Sequence, residues 1–166
     1  MYSIHLVTTL HKNVVRNMLV DAWHSRHPLY VTVSETPEGQ FFVVHAGLFT
    51  CTESARLALS ATPHLQRVAP SATVRVLPAD TIPYSQSGTL FAAQLMALRN
   101  LDSALDTIRS LARQGLGPVL HYAQRSDGNV WAVVLCSLTP NRAAAQERVR
   151  NLGRRTQWNP IVATFP

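Results

Sequence analysis

The chain has 166 residues and a formal net charge of +6, from 15 Lys and Arg against 9 Asp and Glu. It is 46% hydrophobic and only 14% charged, which argues against a disordered chain, because such chains are rich in charge and poor in core-forming residues. No apolar run reaches the roughly 18–20 residues that a membrane-spanning helix needs, and no signal peptide is recognised. The positive charge favours an anionic or neutral partner.

An internal repeat organises the chain. A shift of 89 residues superimposes apolar and turn positions of the two halves over several predicted elements, and one constant offset of this kind indicates a repeated fold. The aligned pairs include Leu19 with Ile108, Val31 with Leu120, Gly39 with Gly128, and Val44 with Val133.

Each half predicts the same order of elements: strand, helix, strand, strand, helix, strand. The first half has strands at 2–7, 29–33, 41–48 and 73–77, a helix with Val15, Leu19 and Ala22 on its buried face, and a helix at 52–60. The second half has strands at 91–96, 119–123, 130–135 and 161–165, a helix with Ala104, Ile108 and Leu111 on its buried face, and a helix at 141–152.

Local signals support these boundaries. Asn100 is the expected N-cap of the first helix of the second half, and Gly115 and Gly117 are expected to end that helix. Asp127-Gly128 predicts the second hairpin turn, because glycine accepts the positive φ of tight turns. One extra residue is expected in the second half before its second helix.

The predicted fold class is α+β, with two ferredoxin-like βαββαβ domains in tandem, each a four-stranded antiparallel sheet with two helices on one face. The first domain is expected at 1–78 and the second at 91–166. Residues 79–90 are expected to form a linker of limited flexibility, because the stretch 78–88 contains two prolines and ends in Ser and Gly.

Two segments resemble the SPOR (sporulation-related repeat) family. Residues 91–98 (FAAQLMAL), followed by the capped helix, resemble the start of a SPOR domain, and residues 39–49 (GQFFVVHAGLF) resemble its central hairpin. The resemblance implies binding of peptidoglycan glycan strands stripped of stem peptides, through an open sheet face. It places the family's strand-one Gln on Gln94 and on His5, and its closing Gly on Cys136.

Alternation along the strands assigns residues of the first half to two faces. One face is expected under the helices, and the other is expected to be open to solvent. The open face is predicted to carry Ser3, His5, Val7, Tyr30, Thr32, Val43, His45, Thr73 and Arg75. Hydroxyls, imidazoles, a guanidinium and an aromatic ring suit a polyhydroxylated ligand, and His5 and His45 are expected to lie close enough to make binding pH-sensitive near pH 6.

The corresponding face of the second half is mostly apolar. It is predicted to carry Ala92, Gln94, Met96, Val119, His121, Ala132, Val134, Val162 and Thr164. An apolar face of this size is rarely left in water, so we expect it to be covered by the first half, by a second chain or by another protein.

Other functions have weaker signals. His24 and His27 lie at a helix end without the third and fourth ligands of a zinc site. Arginines on and after the last helix would suit RNA, but the central strands lack the aromatic residues of RNA-recognition domains. Trp158, in the loop before the last strand, is a candidate to flank a ligand. Paired ACT-like regulatory domains share the order of elements and would bind an amino acid. We find no motif for catalysis, a metal or a cofactor.

The sequence therefore predicts a non-catalytic, cofactor-free binding module for peptidoglycan glycan strands. The predicted ligand-binding residues are His5, Tyr30, Thr32, His45 and Arg75 in the first half and Gln94 and His121 in the second. The alternative is a protein-interaction module that uses the apolar sheet face of the second half. If the resemblance holds, we expect a periplasmic or cell-envelope location, in a larger protein whose export signal or membrane anchor lies outside this chain, and no nucleic-acid partner.

Overall fold

The computed structural model describes residues 1–124, 129–155 and 158–165. These residues form an α+β fold with one eight-stranded antiparallel sheet and five α-helices. The strands are β1 (Tyr2–Thr9), β2 (Leu29–Thr36), β3 (Gly39–Phe49), β4 (Thr73–Val76), β5 (Leu90–Leu98), β6 (Val119–Gln124), β7 (Val130–Thr139) and β8 (Ile161–Phe165). The helices are α1 (Lys12–Ala22), α2 (Thr52–Ser60), α3 (Pro63–Val68), α4 (Leu101–Arg113) and α5 (Arg142–Arg155).

The two halves share one sheet, so the prediction of two separate four-stranded sheets is wrong. The strand order is β4-β1-β3-β2-β6-β7-β5-β8, in which each half has the same internal order. β2 and β6 join the halves through four antiparallel pairs, from Leu29 with Tyr122 to Thr32 with Val119. As separate sheets, both strands would expose a row of unpaired backbone groups, and their pairing removes two of the four edges.

The helices cover one face of the sheet, as their apolar spacing predicts. The predicted buried residues of α1 (Val15, Leu19, Ala22) are indeed buried, and those of α4 (Ala104, Ile108, Leu111) are buried as well. The Asn100 side chain accepts a hydrogen bond from the Ser103 amide at 3.0 Å, which confirms the N-cap of α4. Helix α3 was not predicted; it begins at Pro63, a favourable first helical residue, and buries Leu65.

The extra residue of the second half precedes β7, and it reverses the predicted faces of that strand. Val7 of β1 pairs with Val44 of β3. Met96, which lies 89 residues after Val7, pairs with Val134, which lies 90 residues after Val44. The offset between the two halves has therefore grown from 89 to 90 by this point. Ala132 and Val134 therefore pack under the helices, whereas they were predicted on the other face. A shift of one residue exchanges the two faces of a strand.

The same offset locates the position equivalent to Gly47. Gly47 has φ +71°, and Ser137, 90 residues later, has φ +55°. The two residues occupy the same left-handed position near the end of the third strand of each half. The assignment of Cys136 to the closing glycine is therefore wrong by one residue, and Cys136 is instead buried under the helices.

Irregular pairing changes two further predicted orientations. The register between β1 and β3 shifts between His5 and Val7, and that between β5 and β7 shifts between Gln94 and Met96. Val7 and Met96 consequently pack against the core under the helices, not on the opposite face, because a bulge inserts one unpaired residue.

The last strand is also reversed relative to the prediction. Phe165 pairs with Leu90, and Ala163 with Ala92. Phe165 and Ala163 therefore point away from the helices and pack in the second core described below, so the prediction of Val162 and Thr164 on that face is wrong.

The sheet curls strongly toward the face opposite the helices. β2 and β8 are four strand positions apart, about 19 Å in a flat sheet, yet the ring centroids of Tyr30 and Phe165 are 5.3 Å apart, edge to face. We call this inner side the concave face. It holds a second core, which consists of Met1, Tyr30, Leu77, Ile82, Leu90, Ala92, Val119, Val133, Leu135, Leu138 and Phe165.

The linker contributes to this second core, so the concave face is not the exposed surface that alternation predicted. Ile82 is fully buried, and the Leu77 amide donates to the Met1 carbonyl at 3.0 Å. The expectation that the apolar face of the second half is covered is confirmed, and the cover comes from this same chain. The predicted Asp127-Gly128 turn lies outside the described residues.

Candidate functional site

Four of the seven predicted site residues form one row across the concave face. His5 pairs with His45, His45 with Tyr30, and Tyr30 with His121, on the adjacent strands β1, β3, β2 and β6. We call these four residues the cross-strand row. The row passes through the junction of the two halves, so only their pairing into one sheet brings His121 beside Tyr30.

His45 is the centre of the hydrogen bonds around the row. Its Nδ1 lies 2.8 Å from the Ser3 Oγ, and its Nε2 lies 3.0 Å from the Thr32 Oγ1. The Tyr30 ring stacks on the imidazole with centroids 4.9 Å apart, and the His5 ring lies edge-on at 6.4 Å. Both ring nitrogens are bonded to hydroxyls that can donate or accept, which suits a neutral imidazole.

Burial keeps these histidines neutral. Burial, with the nearby His5 and Arg75 charges as smaller causes, lowers the pKa of His45 to about 3. Burial also lowers the pKa of His121 to about 4 and lowers that of His5, because a low-dielectric environment disfavours the charged form. The prediction of a histidine pair that titrates near pH 6 is therefore wrong for His45.

The Thr32–His45–Ser3 chain has the order of a nucleophile, a base and an orienting group. A base with a pKa of about 3 has little affinity for the proton of an aliphatic hydroxyl, so His45 does not activate Thr32 in this geometry. The chain instead fixes the Thr32 hydroxyl in position.

Access to the predicted residues is limited. Tyr30, His45, Thr32 and His5 are 0%, 4%, 5% and 8% exposed, so an extended glycan cannot lie along the row. The Tyr30 hydroxyl is directed inward, where it donates to the Gly47 carbonyl at 3.2 Å. These side chains were predicted to be exposed because alternation identifies a face but not what covers it.

A cavity reaches this cluster from outside. It has a volume of about 180 Å³, and its lining includes Thr32, Ser34, His45, Arg75 and Thr81. We call it the mouth cavity. Its volume corresponds to about six water molecules, which is enough for a single sugar ring. Of the predicted residues, the structure brings Thr32, His45 and Arg75 together here.

Among the described residues of that lining, Arg75 is the only charged one. It lies on the edge strand β4, opposite Ser3 of β1, and its side chain is exposed. Among the described residues, no carboxylate lies within ion-pair distance of its guanidinium. An unpaired guanidinium beside fixed hydroxyls is suited to bind a carboxylate or sugar hydroxyls.

The remaining predicted residues lie elsewhere. Gln94 is half-buried on β5, beyond β7, with Leu135 and Ile161 as its strand partners. His121 is at the far end of the row, where its ring meets Phe165 edge-on at 5.6 Å. Neither lines the mouth cavity, so the second half does not repeat the polar site of the first.

Two contributors were missing from the predicted set. Ser3 was assigned to the correct face but not to the site, although it alternates with His5. Thr81 comes from the linker, and no local pattern indicates that this segment folds against the sheet. Composition and alternation describe a strand and carry no information on which distant segment packs on it.

The weaker alternatives gain no site in the described part of the chain. No group of three His, Cys, Asp or Glu side chains is placed there to hold a metal ion, although the ring centroids of His24 and His64 are only 6.0 Å apart. Arg148 donates to the Ser137 and Leu138 carbonyls, and Trp158 packs partly against the core under the helices.

Comparisons with known proteins assign no family. The helices in the described part of the chain are all too short or too polar to cross a bilayer. The chain matches no family model, no curated protein and no solved structure, so its assignment to the SPOR family remains a prediction.

Proposed function

We propose that the protein is a non-catalytic binding module that holds one terminal sugar residue of a glycan strand in the mouth cavity. The observation that carries this proposal is that the Arg75 guanidinium, which forms no ion pair with a described residue, and the fixed Thr32 hydroxyl line the same cavity of about 180 Å³. Peptidoglycan stripped of its stem peptides is the proposed ligand, on the resemblance of two segments to SPOR domains.

The geometry favours an end of the strand over its middle. The cavity has room for one ring, and the cross-strand row behind it is buried. The repeated strand order of the two halves supports their description as two ferredoxin-like domains, of which only the first supplies polar side chains to the site.

Two other functions remain as alternatives. A protein partner on the apolar face of the second half would have to displace the linker residue Ile82, which is fully buried there. The joining of both halves edge to edge favours the paired, ACT-like alternative, which predicts saturable binding of an amino acid in calorimetry.

Retention on purified sacculi, before and after amidase removes the stem peptides, tests the proposal. We expect retention to rise after stripping, to fall about tenfold in Arg75→Ala, and to fall severalfold in Thr32→Val. Arg67→Ala, which removes an exposed arginine of α3, is the matched control and should bind as the parent does. Absence of retention on both preparations, or equal loss in Arg67→Ala, would refute the proposal.

A further inference from the structure

The strand β2 has a free edge in the middle of the sheet. β2 extends to Thr36, but its pairing with β6 ends at Thr32. Residues 33–36 therefore pair with β3 on one side and with no strand of the described chain on the other.

The hydrogen bonds identify which backbone groups lie on the free side. The Gly47 amide donates to the Pro28 carbonyl at 2.9 Å, so the even-numbered residues of β2 direct their backbone groups toward β3. Backbone groups of successive residues point to opposite sides. Those of Val33 and Glu35 are therefore directed away from β3, toward the free edge.

Pro118 explains why the pairing stops. The last pair between β2 and β6 is Thr32 with Val119, so the next pair in the same register would be Val33 with Pro118. Proline has no N–H, so it cannot donate to the Val33 carbonyl. The chain then turns away through Gly117, whose φ is +52°, and it leaves the Glu35 backbone groups without a neighbouring strand.

A cleft of about 450 Å³ lies along this edge. Its lining includes Val33 and Glu35 on one side and Gly115, Gly117 and Pro118 on the other, and Asp80 of the linker also reaches it. Glu35 and Asp80 are exposed carboxylates, and neither forms an ion pair with another described residue, although the Gln40 side-chain amide donates a hydrogen bond to Glu35. Arg148 also lines the cleft, where its guanidinium donates to the Ser137 and Leu138 carbonyls. Two carboxylates against one cation leave this rim acidic, in contrast to the net charge of +6 on the whole chain.

We propose that this cleft binds an extended peptide segment, which adds to the edge of β2 as a short strand and directs a basic side chain toward Glu35 and Asp80. Addition of a strand to an exposed edge provides backbone hydrogen bonds and leaves side chains to set specificity. The bonds expected are from the peptide to the Val33 and Glu35 carbonyls, and from the Glu35 amide to the peptide.

The test compares three peptides. The first is a capped Val-Lys-Val-Lys-Val peptide, the second carries N-methyl groups on its two Lys amides, and the third carries them on its other backbone amides instead. In NMR titrations of the labelled protein, we expect the parent peptide to shift the Glu35 amide and to slow its hydrogen exchange at least tenfold. One of the two methylated peptides should lose at least tenfold in affinity. Equal binding of all three peptides, or shifts confined to β4 or β8, would overturn the proposal.

Two variants separate the backbone contribution from the charge. Glu35→Pro removes the amide that faces the cleft while the ladder to β3 is kept, since proline is tolerated at a strand edge, and it should abolish binding. Glu35→Gln should keep binding but reduce the preference for Lys over Ser in the peptide, whereas Glu53→Gln on α2 should change neither. If Glu35→Pro does not fold, the methylated peptides decide alone.

The Thr32→Val variant should bind the peptide normally, which distinguishes this site from the sugar site.

Discussion

At the scale of single residues, the environment of His45 changes the chemistry that its sequence position suggests. The histidine lies on a strand face with hydroxyls and an aromatic ring, as alternation predicts, but both of its ring nitrogens are occupied by Ser3 and Thr32. Burial then lowers the pKa of His45 to about 3, so the neutral form predominates near neutral pH. The residue type was informative, and its ionisation state depended on what packs above it.

This burial predicts a loss of stability in acid. The folded-state pKa values of His45, about 3, and His121, about 4, lie below the ordinary value of 6.5. The unfolded chain therefore binds protons first as the pH falls below 6.5, and the stability present above that pH is lost progressively. We expect the free energy of unfolding to fall by about 1.4 kcal/mol per pH unit for each group between pH 6 and about 4.

Urea unfolding at a series of pH values measures this slope. The His45→Gln variant should show a smaller slope than the parent, whereas His11→Gln, at an exposed histidine, should keep it. A parent stability that does not change between pH 6.5 and 4 would contradict the buried, neutral state of both histidines.

The two left-handed positions make a matched pair of substitutions. A Cβ on Gly47 would lie 2.5 Å from two ring atoms of Phe49, so Gly47→Ala should destabilise by more than the about 1–2 kcal/mol of the φ penalty alone. Ser137 already bears that penalty at φ +55°, so Ser137→Gly should stabilise by about 0.5–1 kcal/mol, because relief of the penalty is partly offset by the greater backbone entropy of glycine in the unfolded chain. Thermal unfolding of both variants measures this, and a stabilised Gly47→Ala would show that the two positions are not equivalent.

At the scale of elements, hydrogen bonds at the ends determine where helices begin. Helix α4 has a side-chain cap from Asn100, whereas α1 begins after His11 without one. The clear start of α4 in the sequence reflects this difference, because an N-cap residue is a local signal. Strand faces are a less local property, since the bulges after His5 and Gln94 depend on pairing with another strand.

The cap predicts opposite effects at the two helices. Asn100→Ala should lower the free energy of unfolding by about 1 kcal/mol, because it leaves the Ser103 amide without its acceptor. His11→Asn should raise it by a smaller amount, because it offers α1 the cap that it lacks. Chemical denaturation measures both changes, and an unchanged stability of Asn100→Ala would mean that solvent replaces the cap fully.

At the scale of the whole molecule, the two halves depend on each other. The β2–β6 pairs join them through the backbone, and each of the two buried cores contains side chains from both halves. Lys12 and Asp106 add an ion pair between α1 and α4 at 2.8 Å. Residues 79–90 thus separate the two halves in the sequence, but both buried cores extend across the two halves in the structure.

We therefore expect one cooperative unfolding transition. Calorimetry should give a van't Hoff enthalpy close to the calorimetric one, and Ile82→Ala should lower the stability of both halves together, by about 2–5 kcal/mol. Two separate transitions, or a folded and equally stable fragment 1–78, would show instead that the halves are independent units.

The sequence by itself determined the type and order of the strands and helices, apart from the short α3, and the buried faces of α1 and α4. It also brought His5 and His45 together, because apolar period, caps and alternation are local properties. Only the tertiary structure decided the single sheet, the reversed faces of β7 and β8, and the burial of the predicted site under the linker. These depend on contacts between segments distant in the chain, where one extra residue or one bulge exchanges the two faces of a strand.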